Sequence, residues 1–422
     1  MLLVSGFIAV LSSTPVLADE QALSLTQVIE YSLRNNGDLK ALREEKGIRD
    51  AAKVRAGLLP NPTLDLEVDT GALTGSNDEK SQSIGLSQEL LLAGKRNKRL
   101  TVAERELDIY CWQVADRERL LRHGVQTAFF DTLLAQERVA LLDRSIGVNR
   151  QLLEVTQERL KAGDIPELEM NLVKVELARS EGARIEAVRA MGQSRSRLWS
   201  LMGLAAVNQP AIVGNLESGL SMTKKLAELK QLAQARRPDL KTLQAEKSWG
   251  DAAIVLAEAE KVPNLTVGVV YTHDQGTDKT ATGEEKVRDN LLGIRLSIPI
   301  PLFDRNQAGV QDAHAKRNSS ESRLVATAEI VEREVETAYA GFQNAASVLS
   351  LYKSDIIPQL EENLKLTQEA YRLGEVGILS VIQEQKKFFE VSEGYLVALH
   401  DRQTALAGLE SAVASKLIGG EK

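Results

Sequence analysis

From Val125 to Leu160, apolar or small residues recur at alternating steps of three and four: Val125, Ala128, Thr132, Ala135, Val139, Leu142, Ile146, Asn149, Leu153, Thr156 and Leu160. Spacing of that kind, kept up over about 35 residues, predicts a helix packed along a coiled-coil seam rather than one resting on a globular core. No proline interrupts the chain from about Lys95 to Leu160. Roughly 60 helical residues rising ~1.5 Å each give ~90 Å, more than a compact domain spans. Gly163 to Pro166 then turn the chain, and a second helix is predicted from Glu167 to about Met202.

Elsewhere the period is two. Leu64, Leu66 and Val68 alternate with Asp65, Glu67 and Asp69, which predicts a strand with one apolar and one acidic face. A polar, glycine-bearing loop leads to a second alternating run around Ser83 to Leu90. Later, Leu265, Val267, Val269 and Tyr271 alternate with Thr266, Gly268, Val270 and Thr272. A polar loop is expected from His273 to Asp289, and then Leu292, Ile294, Leu296 and Ile298 alternate with Gly293, Arg295, Ser297 and Pro299. The pattern therefore gives two hairpins, with strands at about 62–71, 81–91, 263–273 and 290–300. Short helices are predicted before each hairpin, one opening on Ser24 and Gln27 at capping-box spacing and another running from Asp38 to about Gly57.

The two halves repeat each other. TQERLKAGD at Thr156 returns as TQEAYRLGE at Thr367, 211 positions later. VQTAF at Val125 returns as VETAY at Val335 and LSQELLLAGKR at Leu86 as LSIPIPLFDRN at Leu296, both offset by 210. NNGDLKALREEK and RRPDLKTLQAEK match at an offset of 201, with Asp239 over Asp38. The expected organisation is a first repeat at 19–205, a linker at 206–222 rich in Gly and Pro, and a second repeat at 223–422. Each repeat holds a β-hairpin and a helical hairpin, with helical tips at 161–167 and 372–378.

Composition narrows the chemistry. The chain has 422 residues, a net charge of −7 and only 4% aromatic residues, which argues against nucleic acid and suits long helices packed with small aliphatic side chains. One Cys and four scattered His residues give no disulfide and no metal cluster. No GxSxG, Walker loop or HExxH occurs, so no catalytic residue, no metal and no cofactor is expected. The apolar run from Leu2 to Leu11, followed by Val16-Leu17-Ala18, reads as a secretory signal over 1–18 cleaved after Ala18, although no Lys or Arg precedes it. An apolar N-terminal helix packed on the core is the plain alternative.

An exported protein with strands of nine to eleven residues and alternating faces fits a membrane β-barrel. Four strands cannot close one, and strand edges are not left unpaired in lipid, so the chain is expected to oligomerise. Closure alone allows 8, 12 or 16 strands, from a dimer, trimer or tetramer. A soluble sheet on a helical bundle would bury the same apolar faces but leaves the signal and the long helices without a reason. Against a barrel stands the lack of aromatic girdles, since only Tyr271 and Phe303 lie in or beside the strands.

The duplicated plan, the phrases LLLAGKR and LSIPIPLFDRN, and the paired tips KAGD and YRLGE resemble TolC-type outer-membrane efflux proteins over nearly the whole mature chain. Within that family, LLLAGKR and IPIPLFDRN look most like the CzcC-like group, which serves cation-exporting pumps. The resemblance implies a mainly α fold with a membrane β-barrel: a homotrimer forming a 12-stranded outer-membrane barrel and a periplasmic α-helical barrel. It also implies an inner-membrane RND pump and a periplasmic adaptor as partners, and outer-membrane lipid around the strands. Cargo could be metal cations, drugs or, in the type I secretion variant, protein; a pore-free periplasmic coiled coil is the remaining alternative.

The family's periplasmic entrance is ringed by acids just after each tip. Six positions past the tip glycines stand Glu169 and Ser380, so only the first half keeps an acid there. Glu167, Gln383 and Glu384 lie nearby. A carboxylate ring attracts cations and sets how tightly an entrance closes; solvated helix acids are the ordinary alternative. The tips themselves, Lys161, Gly163, Asp164 and Pro166 in one half and Arg372, Gly374, Glu375 and Gly377 in the other, are the candidate adaptor contacts. Asp65, Glu67, Asp69 and Arg295 are candidates for the barrel lumen. Lys95, Arg96, Lys98 and Arg99 form a basic cluster expected at anionic lipid headgroups.

Overall fold

The computed structural model describes residues 22–73, 75, 78–205, 210–217, 222, 224–280 and 283–417. The expected signal at 1–18 and parts of the expected linker at 206–222 lie outside the described residues. In chain order the elements are α1 (Leu25–Asn35), α2 (Gly37–Glu44), α3 (Lys46–Gly57), β1 (Thr63–Thr70), β2 (Lys80–Leu90), α4 (Lys95–Ala162) and α5 (Glu167–Met202). The second half supplies α6 (Leu226–Arg236), α7 (Pro238–Glu260), β3 (Leu265–Thr280), β4 (Gly283–Ser297), α8 (Gln307–Leu351), a π turn (Tyr352–Ile356), α9 (Ile357–Arg372) and α10 (Ile378–Val413).

Two compact units divide these elements. The first comprises Met1–Asn36, Leu121–Leu220 and Gln343–Ala407. Its core joins Val28 of α1, Phe129 and Leu133 of α4, Leu198 and Met202 of α5, and Leu399 of α10. All eleven seam positions predicted between Val125 and Leu160 are buried or half-buried, so the period of three and four reports the packed face of α4. α1 opens on the expected capping box of Ser24 and Gln27, with the Ser24 N–H donating to Gln27 Oε1 at 2.9 Å.

The second unit comprises Gly37–Leu120, Ser221–Phe342 and Gly408–Lys422. Its four strands form one antiparallel sheet in the order β1-β2-β3-β4, with β1 and β4 as its edges. Three sequence expectations are corrected here. The helix expected from Asp38 to Gly57 is broken into α2 and α3 at Glu45, where the Tyr110 hydroxyl sits 2.7 Å from the Leu42 carbonyl and 3.0 Å from that of Arg43. The loop expected from His273 to Asp289 is mostly strand, because β3 and β4 stay paired from Thr266↔Ser297 out to Thr280↔Gly283. At the other end β4 stops at Ser297 instead of about 300, since Pro299 and Pro301 have no N–H for the ladder.

The repeat is visible in how helices end. Gly163 and Gly374 adopt φ of +81° and +80°. In each tip the glycine N–H and the next N–H bond back to the last helical turn, Gly163 to Leu160 and Asp164 to Arg159, Gly374 to Tyr371 and Glu375 to Ala370. This pair of hydrogen bonds satisfies carbonyls that the helix end leaves open. Gly203 and Ala414, again 211 positions apart, close α5 and α10 in the same way.

Candidate channel surfaces: the sheet face and the hairpin tips

Register decides what each face of the sheet carries. Leu64, Leu86, Val269 and Ile294 form one cross-strand row, and Leu66, Ile84, Tyr271 and Leu292 form the next. These side chains point out of the chain's own core: Leu66 is 69% exposed and Ile294 78%. An uninterrupted apolar sheet face of this kind, left open on a protein otherwise rich in charge, needs a nonaqueous partner. At ~25 cal/mol per Å² of apolar surface, covering a leucine or isoleucine side chain is worth ~2 kcal/mol, and six of the eight positions in these two rows are Leu or Ile.

The opposite face carries mainly polar residues and glycines, with Val270 and Leu291 among them. Thr63, Ser87, Gly268 and Arg295 share one row, Asp65, Gly85, Val270 and Gly293 another, and Glu67, Ser83, Thr272 and Leu291 a third. All four candidate lumen residues, Asp65, Glu67, Asp69 and Arg295, thus lie on the same face. Ser87 donates to Asp65 at 3.0 Å. Asp69 continues through Ser81 into Asp274 and Asp289, two acids that fall in the expected loop. The missed signal was the chain's own: Gln275, Gly276 and Thr277 keep the ladder going after hydrophobic alternation has stopped.

Three of the four basic residues where β2 gives way to α4 bond to the protein itself. Lys95 is buried and its ammonium donates to Asn264 Oδ1 at 2.6 Å and to the Val262 carbonyl. Burial pulls its pKa below the usual lysine value, against the pull of Glu260. Arg96 donates to the Gly57 carbonyl at 2.6 Å and Arg99 pairs with Glu260 at 3.6 Å. The expectation of a headgroup-binding cluster is therefore corrected for Lys95, which joins the loop before β3 to the start of α4.

At the helical tips, Lys161, Gly163, Asp164 and Pro166 are all exposed, as are Arg372, Gly374, Glu375 and Gly377. Arg372 pairs with Glu369 one turn back at 2.6 Å. Beneath the tips Leu152, Val173, Tyr371, Ile378, Val381 and Ile382 form a separate apolar cluster. Arg159 of α4 crosses to α9, donating to the Tyr371 carbonyl at 3.1 Å.

Of the candidate entrance residues, Glu167, Ser380 and Gln383 are exposed, whereas Glu169 and Glu384 are half-buried. Glu169 Oε2 and Glu384 Oε1 are each shut off from solvent without a hydrogen-bond partner. No bond between side chains joins any two of the five within one chain. The sequence reading missed a polar pocket just beyond them, about 370 Å³ in volume and lined by Asn149, Glu176, Ser180, Gln385 and Lys386 among others. Asn149 donates to Ser180 at 2.8 Å and Lys386 pairs with Glu176 at 2.9 Å. Gln385 is 3% exposed and neither atom of its amide finds a partner. Asn149, a polar residue in a mostly apolar seam, is the one seam position whose polarity points to it.

Among the described residues no helix is long and apolar enough to cross a membrane, and no group of three His, Cys, Asp or Glu is placed to hold a metal. An open apolar sheet face with two unpaired edges, in a chain that also carries a duplicated pair of long helical hairpins, fits an outer-membrane channel of the exporter type. The chain belongs to the outer membrane efflux protein family, whose sequence profile matches residues 28–204 and 229–415. As such it is an outer-membrane channel and not an enzyme.

It is 24% identical over 390 residues to the cobalt-zinc-cadmium resistance protein CzcC of Cupriavidus metallidurans, covering 92% of this chain and 90% of that one. It is 21% identical to the proteases secretion protein PrtF of Dickeya chrysanthemi, covering 87% of this chain and 83% of the relative. The fold is shared with CusC, whose crystal structures describe transmembrane channel formation, with a TM-score of 0.77 at 19% identity and coverage of 93% and 92%.

Proposed function

We propose that the protein is the outer-membrane duct of a tripartite RND-type efflux system that exports heavy-metal cations. The observation that carries the duct is the sheet: four strands, apolar on one face and mainly polar on the other, with edges β1 and β4 unpaired. Three chains joined edge to edge make a 12-stranded barrel with lipid outside and Asp65, Glu67, Asp69 and Arg295 inside. Within each chain, 19–205 and 223–422 act as two structural repeats joined at 206–222, behind a cleaved signal at 1–18.

The helical tips then face the periplasm. Lys161, Gly163, Asp164, Pro166, Arg372, Gly374, Glu375 and Gly377 are positioned for a periplasmic adaptor, supported by their common exposure. Glu169, with Glu167, Ser380, Gln383 and Glu384, forms the entrance. A half-buried carboxylate with an unsatisfied oxygen is the feature that favours Glu169 and Glu384 over ordinary surface acids.

Cation cargo is supported by the similarity to the cobalt-zinc-cadmium resistance protein and by the acids on the lumen face. Similarity to PrtF supports a second reading, a duct for protein secretion. The two separate on phenotype. Removing the gene should sensitise cells to Zn, Co or Cd ions and leave secreted protein unchanged; intact metal tolerance with loss of a secreted protein establishes the second reading instead.

A further inference from the structure

The sheet sorts its charges by face. Among the described side chains, every carboxylate in the four strands lies on the face opposite the apolar rows. Every Lys and Arg there except Arg295 lies on the apolar side instead. These are Lys80, Lys286 and Arg288, all exposed. They stand at the hairpin end of the sheet, whereas α3, α4, α7 and α8 join it at the other end. The helical end of the apolar face carries no described Lys or Arg within the strands.

Two polar rows close the apolar face. After Leu66, Ile84, Tyr271 and Leu292 come Val68, Gln82, His273 and Asn290, and then Thr70, Lys80, Gln275 and Arg288. The neutral groups here bond to one another. The Tyr271 hydroxyl donates to Asn290 Oδ1 at 2.7 Å, His273 Nδ1 is 2.8 Å from the same oxygen, and Gln275 Nε2 is 3.0 Å from His273 Nε2. Lys286 meets Asp78 at 3.4 Å. Lys80 and Arg288 meet no carboxylate among the described residues.

Their height matters. From Leu265, paired with Leu90 at the helical end, the strand runs 275 − 265 = 10 residues to Gln275, in the row of Lys80 and Arg288. At ~3.3 Å per residue and a tilt of ~40° this is ~25 Å of height, the extent of the apolar band on a membrane barrel. The two cations thus stand where the headgroups of the far leaflet begin. With the helical tips in the periplasm, that leaflet is the outer one. Lys80 on β2 and Arg288 on β4 flank β3, so their backbones are ~10 Å apart. Both long side chains can reach one phosphate, lysine as a point charge and arginine as a planar fork.

We propose that Lys80 and Arg288 form a seat for a phosphate of lipid A, the phosphorylated glycolipid of the outer leaflet, on the outer wall of the channel. The seat continues the apolar face: acyl chains cover the rows of Leu66 and Ile294, and the phosphate meets the cations above them. It rests on the lipid-facing reading of that face.

Native mass spectrometry of the purified full-length protein, titrated with lipid A in detergent, tests the seat. Wild type is expected to bind bisphosphorylated lipid A, and the double variant Lys80→Gln, Arg288→Gln to bind it ~25-fold more weakly. In wild type alone, removing the phosphates from lipid A should weaken binding as much, an arm that needs no variant to fold. Equal affinity in either comparison overturns the seat. Phosphatidylglycerol that binds as tightly as lipid A, and is lost with the same two cations, overturns the assignment to lipid A. A double variant that conducts and binds lipid A as wild type does removes the seat and leaves the channel standing. Normal outer-membrane assembly of the protein carrying Leu66→Arg and Ile294→Arg removes the lipid-facing reading, and the seat with it.

Discussion

Arg159 holds Tyr371 in two ways at once: its guanidinium donates to the Tyr371 carbonyl at 3.1 Å, and its carbon stands 4.8 Å from the centre of the Tyr371 ring. The same carbonyl receives the Gly374 N–H at 3.0 Å. The first hairpin therefore braces the helix end from which the second tip turns. Arg159→Lys keeps the charge but loses the planar fork, and should weaken this brace by ~1–2 kcal/mol. Faster hydrogen exchange at the Gly374 and Glu375 amides, with exchange at Gly163 unchanged, is the expected result.

Gly203 and Ala414 occupy equivalent helix ends in left-handed conformations, with φ of +71° and +52°. Alanine there carries a strain of ~1 kcal/mol that glycine does not, so Ala414→Gly should raise thermal stability. Gly203→Ala should lower it by more than that strain, because a Cβ would lie 2.4 Å from the Asn35 carbonyl oxygen. Melting temperatures of the two purified variants check both signs.

His400 of α10 has a carboxylate at each ring nitrogen, Asp131 at 2.8 Å and Asp401 at 3.1 Å, and Arg197 approaches Asp131 at 3.7 Å. Burial opposes the charged ring, but the two hydrogen bonds outweigh it and raise the pKa above 6.5. A raised histidine pKa gives stability that is fully present below 6.5 and lost as pH climbs through the folded-state value. Thermal stability should therefore fall as pH rises from about 6.5 through that value, and His400→Gln should flatten the dependence. An unchanged slope in the variant removes His400 as its source.

Leu66 and Ile294 stand on the open apolar face, Glu67 on the other. Arginine near the midplane of a barrel's lipid face costs ~2–4 kcal/mol. Leu66→Arg combined with Ile294→Arg should abolish recovery of assembled protein from outer membranes, while Glu67→Gln should leave it unaffected. Equal recovery of both variants would show that the apolar face does not meet lipid.

Much of this was legible in the sequence because long seams and alternating strands repeat one physical requirement many times. The α4 seam from Val125 to Leu160 and the Leu64-Leu66-Val68 face are such cases, and α5 spans Glu167–Met202, as its periodicity predicts. Features that depend on a single contact were hidden. The break at Glu45 needs Tyr110, far along the chain, and the burial of Lys95 needs Val262 and Asn264. The outer part of the β3–β4 hairpin was missed because hydrogen bonds maintain a ladder where no apolar medium imposes alternation. The change of offset from 210 to 211 was in the sequence throughout, but only helix geometry placed the extra residue at Tyr352–Ile356. Glu169 stands out as a candidate because it lies six positions past Gly163, whereas Gln385 belongs to no such pattern.

Single-channel current through the purified full-length protein in a planar lipid bilayer tests the central claim most directly. Discrete, ohmic current steps that favour cations, with that preference reduced in Glu169→Ala, are predicted by an acid-lined duct. A folded, outer-membrane-assembled protein that carries no current at either polarity would contradict it.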